Sequence, residues 1–170
     1  MNEIFSINFL KIIVVSIISQ YNLPIMKELL YLKDDQLKGL IEKIFMSYRE
    51  SFADAKKVLN KHSIGIAHHK VIHLLSIYNG ITISELLKKL KVTKQSLNRI
   101  LKDLINLNAI NFKKDQKDSR LKHIFLSAVG EKLFEEVFFI QKKRIYNALL
   151  QSSSEEVLNF DNVLKRIINE

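Results

Sequence analysis

The sequence predicts a mainly α-helical fold carrying one small β-hairpin, and three observations predict it. Apolar residues recur at three- and four-residue spacing through successive segments from Leu37 to Ile168, the pattern of helices with one buried face. Between Ile110 and Leu126 the period changes: Ile110-Asn111-Phe112-Lys113 and His123-Ile124-Phe125-Leu126 alternate around a polar middle, as the two arms of a hairpin do. A single proline and four glycines in 170 residues leave few enforced breaks.

Composition narrows the function classes. Lys and Arg number 27 against 18 Asp and Glu, a net charge of +9 that suits a polyanionic partner, either nucleic acid or an acidic membrane surface. The absence of cysteine excludes a disulfide frame, a thiolate metal site and thiol redox sensing. The length suits one domain, with or without arms.

Residues 1–33 form an apolar N-terminal extension, broken at Pro24. A membrane span needs about 20 apolar residues, and Asn8, Lys11, Ser16, Ser19 and Gln20 interrupt this one. A signal peptide fits less well, because Glu3 rather than a basic residue precedes the apolar part and no small-x-small site follows. The favoured readings are a hydrophobic arm that packs on the body or a partner, and an upstream extension with Met26 as the native start. A membrane is not a favoured partner on this pattern.

Asp34 or Asp35 caps a long helix whose stripe runs Leu37, Ile41, Ile44, Phe45, Tyr48, Phe52, Ala55 and Leu59. So long a helix in so small a domain is expected to reach a second subunit. Ser63 to Gly65 breaks it, and Val71, Ile72, Leu74, Leu75 and Tyr78 mark a second helix that Asn79-Gly80 terminates. Thr82-Ile83-Ser84-Glu85 is a capping box opening a third helix, with Leu86, Leu87 and Leu90 expected inside. Only a tight turn at Lys91-Val92 separates it from the next.

That next helix, Thr93 to Leu107, organises the rest. Leu97, Ile100, Leu101, Leu104 and Ile105 fall on one side and Gln95, Asn98, Arg99 and Lys102 on the other. Thr93 is the N-cap, so Lys94, Gln95 and Ser96 form a first turn whose free N–H groups favour an anion such as phosphate. Amides and a guanidinium on the outward side are the groups that hydrogen-bond adenine and guanine edges in a major groove. Alone, such a segment reads more plainly as an amphipathic helix with a solvated basic face. Its neighbours decide otherwise: a short helix, a tight turn and then this helix make a helix-turn-helix. The hairpin that follows, with Lys-Lys-Asp-Gln-Lys-Asp-Ser-Arg-Leu-Lys at its tip, makes a wing. Eleven basic and three acidic residues between Lys88 and Lys122 hold nearly the whole charge excess. Ser127 then caps a helix striped by Leu133, Phe134, Val137, Phe138, Ile145 and Leu149. Ser153 and Glu156 box the start of a last helix carrying Val157, Phe160, Val163, Leu164, Ile167 and Ile168.

From about Leu37 onward this order of elements resembles the MarR family of bacterial transcription regulators. The matching residues are Ile81-Thr82-Ile83-Ser84-Glu85-Leu86, the wing D-x-R of Asp118-Ser119-Arg120, and Phe125-Leu126-Ser127-Ala128-Val129-Gly130, similar to the family's L-[ST]-x-x-G. Ala67-His68-His69-Lys70 with Thr93 to Arg99 resembles the PetP-like branch. The resemblance implies a MarR-type domain over 34–170: a winged helix-turn-helix at about 64–127, flanked by dimerisation helices at about 34–62 and 128–169. It further implies a cytoplasmic homodimer on a near-palindromic operator of double-stranded DNA, with Arg120 reaching backbone or minor groove and Asp118 shaping the wing. Family members respond to small ligands at the cleft between base and winged lobe, so a small-molecule effector is a possible partner of unspecified chemistry.

The residues assigned to DNA are therefore Thr82 and Ser84, then Thr93, Lys94, Gln95, Ser96, Asn98, Arg99 and Lys102, and on the wing Lys113, Lys114, Lys117, Asp118, Arg120 and Lys122. Lys94, Lys113, Lys114, Lys117 and Lys122, with Arg120, are expected to bind phosphate, and Gln95, Asn98 and Arg99 to read bases. His62, His68, His69 and His73 cluster in sequence, and His69 and His73 share a helix face at a spacing that suits zinc or nickel, but no neighbouring cysteine or carboxylate completes a set, so no metal and no cofactor is assigned. No glycine-rich phosphate loop, H-E-x-x-H or G-x-S-x-G occurs, and the reading is non-enzymatic. The competing reading from another class is a winged-helix protein-interaction module that does not read bases, and a third is a membrane-tethered regulator using the apolar arm.

Overall fold

The structure is a computed structural model describing residues 32–118 and 120–169, so nearly all of the apolar extension lies outside the described residues. In chain order the elements are α1 (Asp34–Lys61), α2 (Ile66–Ile77), β1 (Ile81–Thr82), α3 (Ile83–Leu90), α4 (Lys94–Asn106), β2 (Ile110–Lys114), β3 (Lys122–Leu126), α5 (Ala128–Leu150) and α6 (Ser154–Ile168). The chain divides into two units between Tyr48 and Arg49, inside α1. In the first unit the described residues are 32–48, mostly the start of α1, where Leu37, Ile41, Ile44, Phe45 and Tyr48 are all exposed.

The second unit holds the core. Ala55 and Leu59 of α1 meet Val71, Ile72 and Leu75 of α2, Leu86 of α3, Leu97, Leu101 and Leu104 of α4, Ile110 and Ile124 of the sheet, and Leu133 and Val137 of α5. Leu87 and Leu90, expected inside, lie half-buried at the margin of this cluster. Ile105 is a correction. It is 45% exposed, because it falls one residue past Leu104 and its 100° turn carries it off the packed arc.

The hairpin has a third strand that the sequence did not announce. β1 pairs antiparallel with β3, and β3 with β2, giving the order β1-β3-β2 with Ile124 opposite both Ile81 and Phe112. Two residues carry no detectable period, which is why β1 is invisible to pattern reading. Just before it, Gly80 has φ +81°, a left-handed conformation suited to glycine.

Local chemistry sets the helix ends. After α1, Ser63 turns left-handed (φ 55°) and the Ile64 N–H returns to the Leu59 carbonyl at 3.1 Å, a closure that buries Ile64 beside Leu59. Lys91 (φ 52°) takes the left-handed position in the turn before α4 and its N–H closes α3 on the Leu87 carbonyl at 2.9 Å, which accounts for a turn without glycine. Ser127 caps α5 by accepting from the Gly130 N–H at 3.1 Å, and its hydroxyl donates to the Asn108 carbonyl at 2.5 Å. Arg144 of α5 forks onto Asp54 of α1 (2.5 and 2.9 Å), and the Gln141 amide donates to the Ser51 carbonyl at 2.9 Å. These contacts fasten α5 along the second half of α1.

Among the described residues, the C-terminal helices leave an apolar face uncovered. Ile145, Tyr146, Leu149 and Leu150 at the end of α5 are exposed, as are Leu158, Phe160, Val163, Leu164, Ile167 and Ile168 on α6, which has no buried residue. No helix among the described residues is long and apolar enough to cross a membrane.

Candidate nucleic-acid interface

The helix-turn-helix is built by two caps. Thr82 accepts from the Glu85 N–H at 3.3 Å while the Glu85 carboxylate accepts from the Thr82 N–H (2.9 Å) and hydroxyl (2.7 Å). These bonds hold the Glu85 carboxyl below its ordinary range. Thr93 accepts from the Ser96 N–H at 3.1 Å and donates its hydroxyl to Ser96 Oγ at 2.9 Å. With Thr93 capping, α4 begins at Lys94, and Leu97, Leu101 and Leu104 plug its inner side into the core.

The outer side is open. Lys94, Gln95, Ser96, Asn98, Arg99 and Lys102 are all exposed or nearly so, as is Ser84 at the head of α3. Thr82, by contrast, is half-buried with its hydroxyl engaged in the capping box. An exposed first turn, two amides, a guanidinium and two ammonium groups thus share one helix, with an inner side that cannot turn outward without emptying the core.

On the wing, Lys113, Lys114, Lys117, Arg120 and Lys122 project from the strands and the loop, and Asp118 is half-buried. Arg120 forks onto Asp118, Nε to Oδ1 at 3.0 Å and Nη2 to Oδ2 at 3.1 Å, and the Arg120 N–H donates to the same Oδ1 at 3.0 Å. The fork holds the Asp118 carboxyl below its usual range. Lys113 leans back, its ammonium 4.8 Å from the centre of the Phe125 ring, a cation–π contact. Asp115 organises the loop, its Oδ1 accepting from the Lys117 N–H (2.7 Å) and the Asp118 N–H (2.9 Å).

Two histidines join this machinery that sequence reasoning left out. His68 Nδ1 accepts the Gly65 N–H at 3.2 Å, so the remaining proton belongs on Nε2, which lies 3.1 Å from Asp103 Oδ2 on α4. The start of α2 is thereby tied to the outward-reading helix. His123 of β3 bridges the Gly80 carbonyl (Nδ1, 2.7 Å) and Asp115 Oδ2 (Nε2, 3.0 Å). The only sequence signal for this second bridge was a histidine and an aspartate at diagonal places across a hairpin.

His69 and His73 turn the other way, their rings 6.0 Å apart beside a cavity of about 290 Å³ lined by Phe52, His69, Lys70, His73, Leu74, Leu90 and Gln141. Both nitrogens of His69 and Nδ1 of His73 are buried without a hydrogen-bond partner. Burial, reinforced by the neighbouring His73, pushes the His69 pKa down to about 4, and burial lowers that of His73 as well, so both rings are neutral at pH 7. Among the described residues, no group of three potential metal ligands gathers.

Comparison with known proteins agrees with this geometry. A model of the MarR family matches residues 62–121. The HTH-type transcriptional regulator PetP of Rhodobacter capsulatus is 36% identical over 141 residues, 83% of this chain and 85% of that protein. Among solved structures, a MepR mutant from a multidrug-resistant S. aureus clinical isolate superposes with a TM-score of 0.67 at 23% identity, covering 76% of this chain and 95% of that one. A MarR mutant from E. coli, solved in complex with operator DNA, gives a TM-score of 0.59 at 22% identity, covering 78% and 96%. At those identities the structural likeness is one of fold.

Proposed function

Because this chain belongs to the MarR family, we propose that it is a transcriptional regulator that reads double-stranded DNA in a sequence-specific way as a homodimer. One observation carries the reading: Gln95, Asn98 and Arg99 stand on the open side of a capped helix whose opposite side is locked into the core. Phosphates take Lys94 with the free N–H groups of the first turn, and the wing cations Lys113, Lys114, Lys117, Arg120 and Lys122. Gln95, Asn98 and Arg99 supply base preference. Thr82 acts chiefly through its cap, and Asp118 by holding Arg120 in one orientation.

The exposed apolar residues of α5 and α6, together with the start of α1, support dimerisation through helices at about 34–62 and 128–169. Two lobes related by a twofold engage half-sites about one helical turn, roughly 34 Å, apart. A small effector is assigned to the cavity beside His69 and His73, where Phe52, Leu74 and Leu90 in the lining favour a largely apolar ligand. The protein works where the chromosome is, in the cytoplasm, and no catalysis is assigned to it.

Selection of bound duplexes from a random DNA pool tests the reading. The expected result is an enriched near-palindrome with two half-sites. Retention of DNA without any enriched sequence overturns it in favour of an interaction module on the same scaffold.

A further inference from the structure

His123 faces two groups that can only accept hydrogen bonds: the Gly80 carbonyl 2.7 Å from Nδ1 and the Asp115 carboxylate 3.0 Å from Nε2. A neutral imidazole carries one N–H and can satisfy only one of them, whereas an imidazolium donates to both. Asp115 is in turn the residue whose other oxygen receives the Lys117 and Asp118 N–H groups, and Asp118 holds Arg120. A single line of hydrogen bonds therefore runs from the turn before β1, through the start of β3, to the backbone of the wing loop. We propose that His123 is a positioning residue for DNA binding, acting as an imidazolium that clamps the wing loop, through Asp115, to the turn at Gly80.

The charged groups around His123 agree with that protonation state. Asp115 from the loop and Glu85 from α3 are both acidic, and together with the Gly80 carbonyl they raise the His123 pKa, with Asp115 contributing most. From β2, Lys113 is opposite in register, but its ammonium leans over the Phe125 ring; from β1, the opposite residue is the uncharged Thr82. Asp115 is itself held down to about 2, first by the Asp118 N–H and then by His123. The sign follows. A raised pKa means the clamp is complete below 6.5 and is lost as pH rises through the folded-state value. The strand pairing of the wing is unaffected, but His123 then donates to only one of its two partners.

The proposal rests on the DNA-binding reading, so its test separates the two. DNA affinity of the full chain for its selected duplex is measured by fluorescence anisotropy from pH 5.5 to 8.5 at fixed ionic strength, for the wild type, His123→Gln and Asp115→Asn. In parallel, the His123 ring is titrated by NMR without DNA. Expected results are a His123 titration above 6.5 and a wild-type affinity that falls roughly three- to tenfold across it, the loss of one charge-assisted hydrogen bond. His123→Gln removes that component of the profile. Asp115→Asn moves the His123 titration and the profile together to lower pH. A His123 titration at or below 6.5, or a His123→Gln profile parallel to wild type, overturns the clamp while leaving DNA reading intact. A wild type that selects no sequence at any pH overturns the functional reading, and the role of His123 in binding with it.

Discussion

The carbonyl oxygen of Ala109 occupies the place where Gly130 would carry a side chain: a Cβ built there lies 2.0 Å from that oxygen and 3.0 Å from its carbon. Backbone of the β2 entry and the first turn of α5 touch directly, and the Ser127 N–H donates to the same Ala109 oxygen at 3.0 Å. Gly130→Ala is therefore expected to destabilise by about 3 kcal/mol, the upper part of the range for overpacking, because the obstacle is main chain and cannot rotate aside. A urea midpoint lowered at unchanged slope checks it. A midpoint within error of wild type contradicts the close approach.

Acid should weaken the fold through His69. With a folded-state pKa of about 4 against 6.5 unfolded, the unfolded chain binds the extra proton between those values, so stability is full above 6.5 and declines as pH falls to 4. The decline attributable to this buried ring is as much as ~3 kcal/mol. His69→Leu should flatten that part of the stability–pH curve. Asp115 contributes in a separate window, between about 3.8 and 2. Equal pH slopes for His69→Leu and wild type from 6.5 to 4 rule out the burial effect.

Base-reading and phosphate-gripping side chains should separate in a salt titration. Lys117→Ala and Arg120→Ala are expected to weaken binding to all duplexes and each to reduce the slope of log K against log salt by about 0.9. Asn98→Ala and Arg99→Ala should leave the slope less affected and cost about 1 to 3 kcal/mol of discrimination at particular base pairs. Uniform losses in both sets would remove the division of labour.

Assembly should depend on α6. Leu164→Glu with Ile167→Glu places two carboxylates in the exposed apolar face and is expected to give monomers by light scattering, with operator affinity lower by at least roughly tenfold. A double variant that remains a dimer would locate the interface elsewhere.

Much of the fold was legible because its signals are local. The boxes at Thr82–Glu85 and Ser153–Glu156, the Thr93 cap and the periods of α4 and α5 each depend on residues within a few positions of one another. The outward arc of Gln95, Asn98 and Arg99 followed from the same period. Long-range pairings were not legible. Ile81–Thr82 becomes a strand only because β3 is there to receive it, and His68 meets Asp103 from 35 residues away. Arg144 and Asp54 are 90 apart. The glycine of Leu126-Ser127-Ala128-Val129-Gly130 could be matched as a motif, but the need for it appears only when Ala109 is seen against it.

The middle strand of the sheet has a neighbour on either edge, Ile81–Thr82 on one and Ile110–Lys114 on the other. Because α3 starts at Ile83, directly after β1, the pairing of β1 with β3 ties the base of the hairpin to the helix-turn-helix. In the homodimer proposed above, adjustment to a different groove spacing is therefore expected from the separation of the two winged lobes, with the strand pairing at the base of each wing unchanged and only its loop open to the His123 clamp.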